Sequence, residues 1–482
     1  MVWRSVKIQS SAAILVVLAM LAAVGVASQP DAQPISDEEA VELLYAITEK
    51  RGQAALDAMA RIRAADDERF IAAFIETQLM MVENSERVAH IETLEALSGQ
   101  RLGRDWFEWR DWYAGTDLEP PPGFTAWKGT LLERLDYRFA DFLPDGAAST
   151  IRAEEIVWGG VSVDGIPPLE YPPVLPVAEA TEMMDDEPVF GLRVNGEARA
   201  YPLRIMDQHE MANDIVGGEP LSLAYCTLCG AGIAYQTTQP DGTVFDFGTS
   251  GLLYRSNKLM YDRQTRTLWN QLTGEPVLGE LAGSGIRLEI LPIVLTTWAE
   301  WRAEHPDTTV LDFDTGHGRQ YRPGTPYSEY FTSSGTWFPT PERDGRLADK
   351  TQIFAIELNG SPKAYPIDAV LAEGALNDEL GGVEIVIVGS GENIEVNGID
   401  RNGIDFHYAA GGAARAYERD GHTFRPGLEP GTLVDASSQV WAITEEALIG
   451  PADQRLNRLP GHLAFWFGWS AFFPDTEVYG TE

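Results

Sequence analysis

The feature that most constrains this chain is an internal repeat. Val189-Phe190-Gly191-Leu192-Arg193-Val194-Asn195-Gly196 returns as Ile353-Phe354-Ala355-Ile356-Glu357-Leu358-Asn359-Gly360, and Ala200-Tyr201-Pro202 returns as Ala364-Tyr365-Pro366. Asn213-Asp214 and Gly217-Gly218 return in the same register as Asn377-Asp378 and Gly381-Gly382. Farther on, Asp262 and Trp269 find partners in Asp435 and Trp441, and Leu291-Pro292, Trp298, Trp301 and Pro306-Asp307-Thr308 in Leu459-Pro460, Trp466, Trp469 and Pro474-Asp475-Thr476. Self-similarity over this length, in one order, calls for one supersecondary unit used twice. Each copy reads as strand, Asn-Gly turn, strand, a helix opened by Pro202 or Pro366, the paired glycines as its stop, then a buried strand. The expected fold class is α+β: an N-terminal α-helical array followed by a duplicated β-rich body. If the copies share a fold, they should pack together and bury Trp298, Trp301, Trp466 and Trp469.

The helical array is read from Ser36 to about Tyr113 and assigned to 36–118. Ser36-Asp37-Glu38-Glu39 has the pattern of a capping box. Apolar residues then recur at helical spacing through Leu43, Leu44 and Ile47, through Phe70, Phe74 and Ile75, and through Ile91, Leu94 and Leu97. Leu94–Gly99 followed by Trp106, Trp109 and Trp112 resembles a HEAT-type repeat. Such arrays bind protein or cap a neighbour, so another envelope protein is the expected partner. Glu119-Pro120-Pro121-Pro122-Gly123 marks a boundary. Residues 119–176 are read as linker and lead-in, 177–345 as copy one and 346–482 as copy two.

Before the array, Arg4 and Lys7 precede an apolar run from Ala12 to Val26, with small residues at Gly25, Ala27 and Ser28. Residues 1–28 are therefore read as a signal peptide or N-terminal anchor, which is the expected membrane contact. The expected location is periplasmic, or tethered to the outer face of the cytoplasmic membrane. The formal net charge of -37 repels phosphate backbones, so nucleic-acid binding is not expected.

The repeat also acts as a control within one sequence. Positions kept in both copies are read as structural; reactive groups found in one copy only are functional candidates. His209 faces Glu373, Cys226 faces Ser390, Cys229 faces Asn393, Arg263 faces Ala436 and Gln271 faces Ile443. Cys226 and Cys229 are the only cysteines in 482 residues. They follow the apolar run Leu221–Tyr225 and are followed by Gly230, which places them in a turn between strands, the shape of a metal-binding knuckle. A thioredoxin-type pair would instead open a helix. Three readings stand: a metal site, a thiol redox pair, or a structural disulfide. As metal ligands, Cys226 and Cys229 would be joined by His209, with Met206 and Met260 as further candidates and Met211 nearby in sequence. Thiolate, imidazole and thioether suit copper(I) better than zinc. That reading requires a His209 nitrogen close to a cysteine sulfur. As redox residues, Cys226 and Cys229 would cycle between dithiol and disulfide. Arg263, Gln271, Tyr254 and Asp262 form a second polar group that would bind an anionic ligand or support the metal shell. Asp262 has a counterpart in Asp435, which favours a turn or cap. The chain carries no phosphate loop, no dinucleotide fingerprint, no His-Glu-x-x-His helix and no Ser-His-Asp order.

Together, Ala200-Tyr201-Pro202, His209-Glu210, Tyr225-Cys226-Thr227-Leu228-Cys229-Gly230, Ser250–Tyr254, Met260–Arg263 and Trp269–Gln271 resemble the bacterial and archaeal domain-of-unknown-function family 3179, from about Glu155 to the C-terminus. The resemblance implies export or membrane anchoring and carries no settled activity.

Overall fold

The computed structural model describes residues 33–78, 84–324, 326–341 and 343–481. The N-terminal segment read as signal or anchor lies outside the described residues. Among those described, no helix is long and apolar enough to cross a membrane.

The chain is α+β. Helices Asp37–Glu49, Gln53–Ala65, Ile71–Thr77, Asn84–Ser98 and Trp106–Ala114 come first. Ser36 caps the first, accepting from the Glu39 amide at 3.2 Å. The Glu39 carboxylate does not reach back to complete a capping box; Arg61 takes it at 2.8 Å. Leu44, Ile47, Ile62, Phe74, Leu94 and Trp109 form the centre of this layer.

Residues 119–176, expected as linker and lead-in, are built into the fold instead. They hold the helices Phe124–Leu132 and Phe139–Phe142 and the strands Val157–Trp158, Leu169–Glu170 and Val174–Pro176. The proline run explains only the break before Gly123, whose φ of 78° starts the next helix. Trp127 and Leu131 of that helix enter the helical core. Leu132, Phe139 and Phe142 pack with Leu252, Tyr261 and Leu268 of the body. Lys128, fully buried, adds a polar tie, donating to Glu76 at 2.9 Å and to the Ala153 carbonyl at 3.2 Å.

The body is β-rich, and its two halves make the same local contacts at matched positions. Strands Pro188–Val194 and Glu197–Pro202 pair with Phe190 opposite Tyr201; Gln352–Leu358 and Ser361–Pro366 pair with Phe354 opposite Tyr365. A parallel strand joins each pair, setting Val310 beside Ala200 and Val478 beside Ala364. The Tyr201 hydroxyl donates to Asp214 at 2.8 Å and that of Tyr365 to Asp378 at 2.8 Å. Trp301 donates to Thr308 at 2.8 Å and Trp469 to Thr476 at 2.9 Å. Trp269 donates to Asp262 at 2.9 Å and Trp441 to Asp435 at 3.1 Å. Trp298, Trp301, Trp466 and Trp469 are all buried, as expected. One core cluster joins Phe190, Leu223 and Tyr201 with Phe354, Ile387 and Tyr365, so the halves bury apolar surface against each other.

One expectation fails in an informative way. Gly217-Gly218 does not stop the helix Leu203–His209; it turns the hairpin between strands Met211–Val216 and Glu219–Cys226. At Gly217 an added Cβ would lie 2.2 Å from the Val194 carbonyl oxygen, so the turn needs glycine for space as well as φ. The helix is stopped earlier, by Glu210 at φ 56°, whereas the matching helix Ile367–Glu373 is stopped by Gly374 at φ 68°. A non-glycine residue in the left-handed region is costly and points to a role.

Candidate functional site

Cys226 ends its strand, Thr227–Gly230 form a tight turn, and strand Ala231–Gln236 runs back beside the first. The Cys229 amide donates to the Cys226 carbonyl at 3.2 Å, and Gly230 takes a φ of 59°. The turn is held from several directions. Gln271, fully buried, donates to the Ala224 and Ala231 carbonyls at 3.0 and 3.1 Å, clamping the two strands. Its own oxygen accepts from Asn257 at 2.8 Å. From the second half of the body, the Phe465 amide donates to the Cys229 carbonyl at 2.7 Å. The segment between the halves covers the turn: Tyr330 donates to the Leu228 carbonyl at 2.6 Å, and Ser256 to the Phe338 carbonyl at 2.8 Å.

Both cysteines are free thiols, with exposures of 1% at Cys226 and 0% at Cys229, and no disulfide joins them. Their environments differ. The Cys229 sulfur lies 3.4 Å from the Ser256 carbonyl and 3.5 Å from the Asn257 amide nitrogen. Burial, and then the neighbouring Cys226, push the Cys229 thiol far up. Burial, and with it the Glu210 charge, opposes ionisation of Cys226 too. The Cys229 side chain and the Lys258 and Cys229 amides nevertheless bond its sulfur and bring it below the usual thiol range.

Beside this pair sits a charged group that sequence reasoning did not single out. The Lys258 ammonium, 4% exposed, donates to the Glu210 carbonyl at 2.7 Å and lies 3.7 Å from its carboxylate. Burial drives the Lys258 pKa down. The Glu210 carboxylate also accepts from Thr227 at 3.0 Å and Tyr327 at 2.9 Å. The left-handed cap thus places a carboxylate under the cysteine turn, where the other half has only Gly374. Asp207, one turn back, is 1% exposed with both carboxylate oxygens unpartnered. Burial and the Glu210 charge push Asp207 well up, so it is held as the neutral acid.

Cys226, Glu210, Thr227 and Lys258 line a cavity of about 180 Å³ together with Thr249, Ser250 and Tyr327 and a larger apolar set that includes Val161, Ile166, Leu252, Leu253, Leu259 and Phe338. Cys229 does not line it. A larger cavity of about 350 Å³ lies between the two halves, reached by Tyr225, Gly230, Lys350, Tyr408 and Phe465 but by neither cysteine.

The metal set expected from the sequence is not brought together. His209 is fully buried, and both of its ring nitrogens are engaged elsewhere. Nδ1 donates to the Pro167 carbonyl at 2.7 Å, which leaves Nε2 to accept from the Tyr321 hydroxyl at 2.6 Å. Burial lowers its pKa to about 4, so the ring is neutral and satisfied. Among the described residues, Cys226, Cys229 and His209 do not converge to ligand spacing; the acid–histidine group that does is Glu304, His305 and Glu445. There Glu445 is already held by Arg415 at 2.7 Å and by Arg458. Met206 packs in the core cluster around Phe190 and Tyr201, while Met260 and Met211 pack in the cluster that contains both cysteines.

The second polar group is also dispersed. Arg263 pairs with Glu170 at 2.6 Å on the surface. Tyr254 packs on Phe472 and carries Arg255 over its ring. Asp262 caps the turn to Thr265 and receives Trp269, the structural role that its counterpart Asp435 anticipates. Only Gln271 belongs to the cysteine site. The signal for the missed residues was present in the repeat. In the register that aligns the recurring motifs, Glu210 faces Gly374 and Lys258 faces Gly431, so neither charge recurs.

The fold and site define an α+β protein with a buried pair of free thiols, one of which, Cys226, lines a mostly apolar cavity. The chain belongs to the family described as protein of unknown function (DUF3179), whose model matches residues 163–476. No curated protein and no solved structure matches it significantly.

Proposed function

We propose that this chain is an exported dithiol–disulfide redox protein in which Cys226 is the attacking thiolate and Cys229 the resolving thiol. The observation that carries this reading is the placement of two free thiols in one turn, with Cys226 lining a cavity and Cys229 sealed off from it. A disulfide-forming pair needs one sulfur that ionises and one that stays protonated until called upon. The Lys258 backbone amide, which bonds the Cys226 sulfur, supports the same division, against the opposing charge of Glu210. Export is supported by the basic and apolar N-terminal sequence, which suits a compartment where such a pair can cycle. We also infer that the body is two copies of one unit, supported by the matched Tyr–Asp, Trp–Thr and Trp–Asp hydrogen bonds, and that chemistry was kept in the first copy.

The test is thiol counting on purified full-length protein after oxidation by diamide. Two thiols should be lost together in the wild type, and peptide mapping should place a Cys226–Cys229 bond. Iodoacetamide at limiting concentration should label Cys226 before Cys229. Equal labelling of both, or failure of diamide to form the bond, rejects the reading. Stoichiometric copper(I) or zinc that survives purification and is lost in Cys226→Ser would return the assignment to metal binding.

A further inference from the structure

We propose that the oxidising substrate is a small, apolar organic hydroperoxide, bound in the cavity beside Cys226 and reduced there to an alcohol; this rests on the dithiol reading above. Three observations lead to it.

The first is access. Cys226 is 1% exposed and Cys229 is covered entirely, with Gly468 of helix Trp466–Ser470 against it. A thiol on another protein would have to displace the Tyr327–Phe338 segment to reach either sulfur. A small molecule needs only the cavity, which at about 180 Å³ exceeds the ~150 Å³ that accommodates benzene in an engineered protein cavity. The second is the wall. The lining is mostly apolar, with Glu210, Thr249, Ser250 and Tyr327 as further polar members, so the binding energy favours a ligand that is mainly hydrocarbon and can present its reactive group to Cys226.

The third is the built acid. When a thiolate attacks a hydroperoxide, the leaving group is an alkoxide, a strong base that must be protonated as the O–O bond breaks. A disulfide substrate would release a thiolate, which departs without such help. A buried ammonium on the same cavity as the nucleophile, oriented at 2.7 Å by a backbone carbonyl, is the group the first reaction needs and the second does not. Its depressed pKa makes it the better acid.

The steps balance. The Cys226 thiolate attacks the terminal oxygen of ROOH; the S–O bond forms, the O–O bond breaks, and the Lys258 proton goes to the departing alkoxide, giving ROH and Cys226 sulfenic acid. The Cys229 sulfur then attacks the Cys226 sulfur. Its proton and the hydroxyl leave as water, and the disulfide forms. Lys258 regains its proton from solvent. A small dithiol restores the starting state by exchange, becoming a disulfide itself.

The experiment mixes the reduced full-length protein with cumene hydroperoxide, hydrogen peroxide or diamide, quenches in acid at intervals and counts thiols. Cumene hydroperoxide should consume both thiols at least about tenfold faster than hydrogen peroxide, which cannot use the apolar wall. In Cys229→Ser, dimedone should trap a sulfenic acid at Cys226. Lys258→Met should slow the hydroperoxide reaction by about 100-fold, with Lys258→Arg restoring much of the rate. If Lys258→Met fails to fold, the selectivity and dimedone results decide alone. Hydrogen peroxide reacting as fast as cumene hydroperoxide overturns the proposal. If diamide forms the Cys226–Cys229 bond and the organic hydroperoxide does not, the substrate class is wrong and the dithiol reading stands. If neither forms it, both fall.

Discussion

Glu210 and Lys258 meet below the cysteine turn, the ammonium of one 2.7 Å from the carbonyl of the other and 3.7 Å from its carboxylate. Glu210 reaches that position by ending a helix in the left-handed conformation, which costs a non-glycine residue about 1–2 kcal/mol. The matching place in the second half is filled by Gly374.

The pair should be measurable. Glu210→Gln keeps acceptors for Thr227 and Tyr327 but leaves the Lys258 ammonium buried without its counter-charge. A destabilisation of about 3 kcal/mol at pH 7 is expected in urea unfolding. Burial already depresses Lys258 in the folded state, so the unfolded chain binds the proton more tightly and stability rises with pH. The deficit in Glu210→Gln should therefore shrink as pH increases toward 10, the ordinary lysine range. A pH-independent deficit would mean that Lys258 is not the cause.

Asp207 gives the opposite slope. Its carboxyl is buried, unpartnered and held well above the usual range, so the folded state keeps a proton that the unfolded chain releases above about pH 4. Stability is thus lost as pH rises from that point. Asp207→Asn, of the same shape and always neutral, should gain at least about 1 kcal/mol at pH 8 and nothing below pH 4. Denaturant midpoints at the two pH values decide it.

Glu445 behaves as a paired acid. Arg415 at 2.7 Å and Arg458 hold it, and although burial resists, their charges bring its pKa down to about 2. Arg458 also donates to the Ile293 carbonyl at 2.8 Å, tying strand Ile293–Thr297 to the second half. The stability from Glu445 is present above its unfolded pKa of about 4.3 and lost as pH falls toward 2. Glu445→Gln should cost about 3–5 kcal/mol at neutral pH, because two buried guanidinium groups lose their partner. The variant should also show a flatter acid-denaturation curve than the wild type.

Gly468 is close to the resolving sulfur. A Cβ there would lie 3.0 Å from the Cys229 Cβ and 3.3 Å from its Sγ. Gly468→Ala should cost about 1–3 kcal/mol by overpacking and displace Cys229 from Cys226. Disulfide formation after diamide should slow while iodoacetamide labelling of Cys226 persists. Unchanged closure kinetics would show that the helix does not set the thiol spacing.

Much of the architecture is legible because it repeats. The Asn-Gly turns, the proline-opened helices and the buried tryptophans can be read from paired motifs, and each rests on local chemistry: φ preferences, a missing amide, large apolar rings. The helix stop escapes such a reading because two adjacent glycines satisfy a hairpin turn as well as a helix cap, and only the β-pairing of Met211–Val216 distinguishes them. Residues 119–176 look like a linker because three prolines break a helix, yet a break carries no information about the helices and strands on its far side.

The site divides along the same line. Sequence alone determined that the two cysteines are confined to the first half, in a chain whose other motifs recur. It determined that the cysteines stand in a turn between strands, because flanking apolar runs and Gly230 leave no other local solution. Which residues share that turn was decided only in three dimensions. His209 is on the helix just before the cysteine strand, yet its ring is drawn to Pro167 and Tyr321, while Lys258, on a later hairpin, lines the same cavity as Cys226. Local spacing specifies backbone conformation within a few residues. The direction in which a buried polar side chain points is set by whichever partner, near or far in sequence, satisfies it once water is gone.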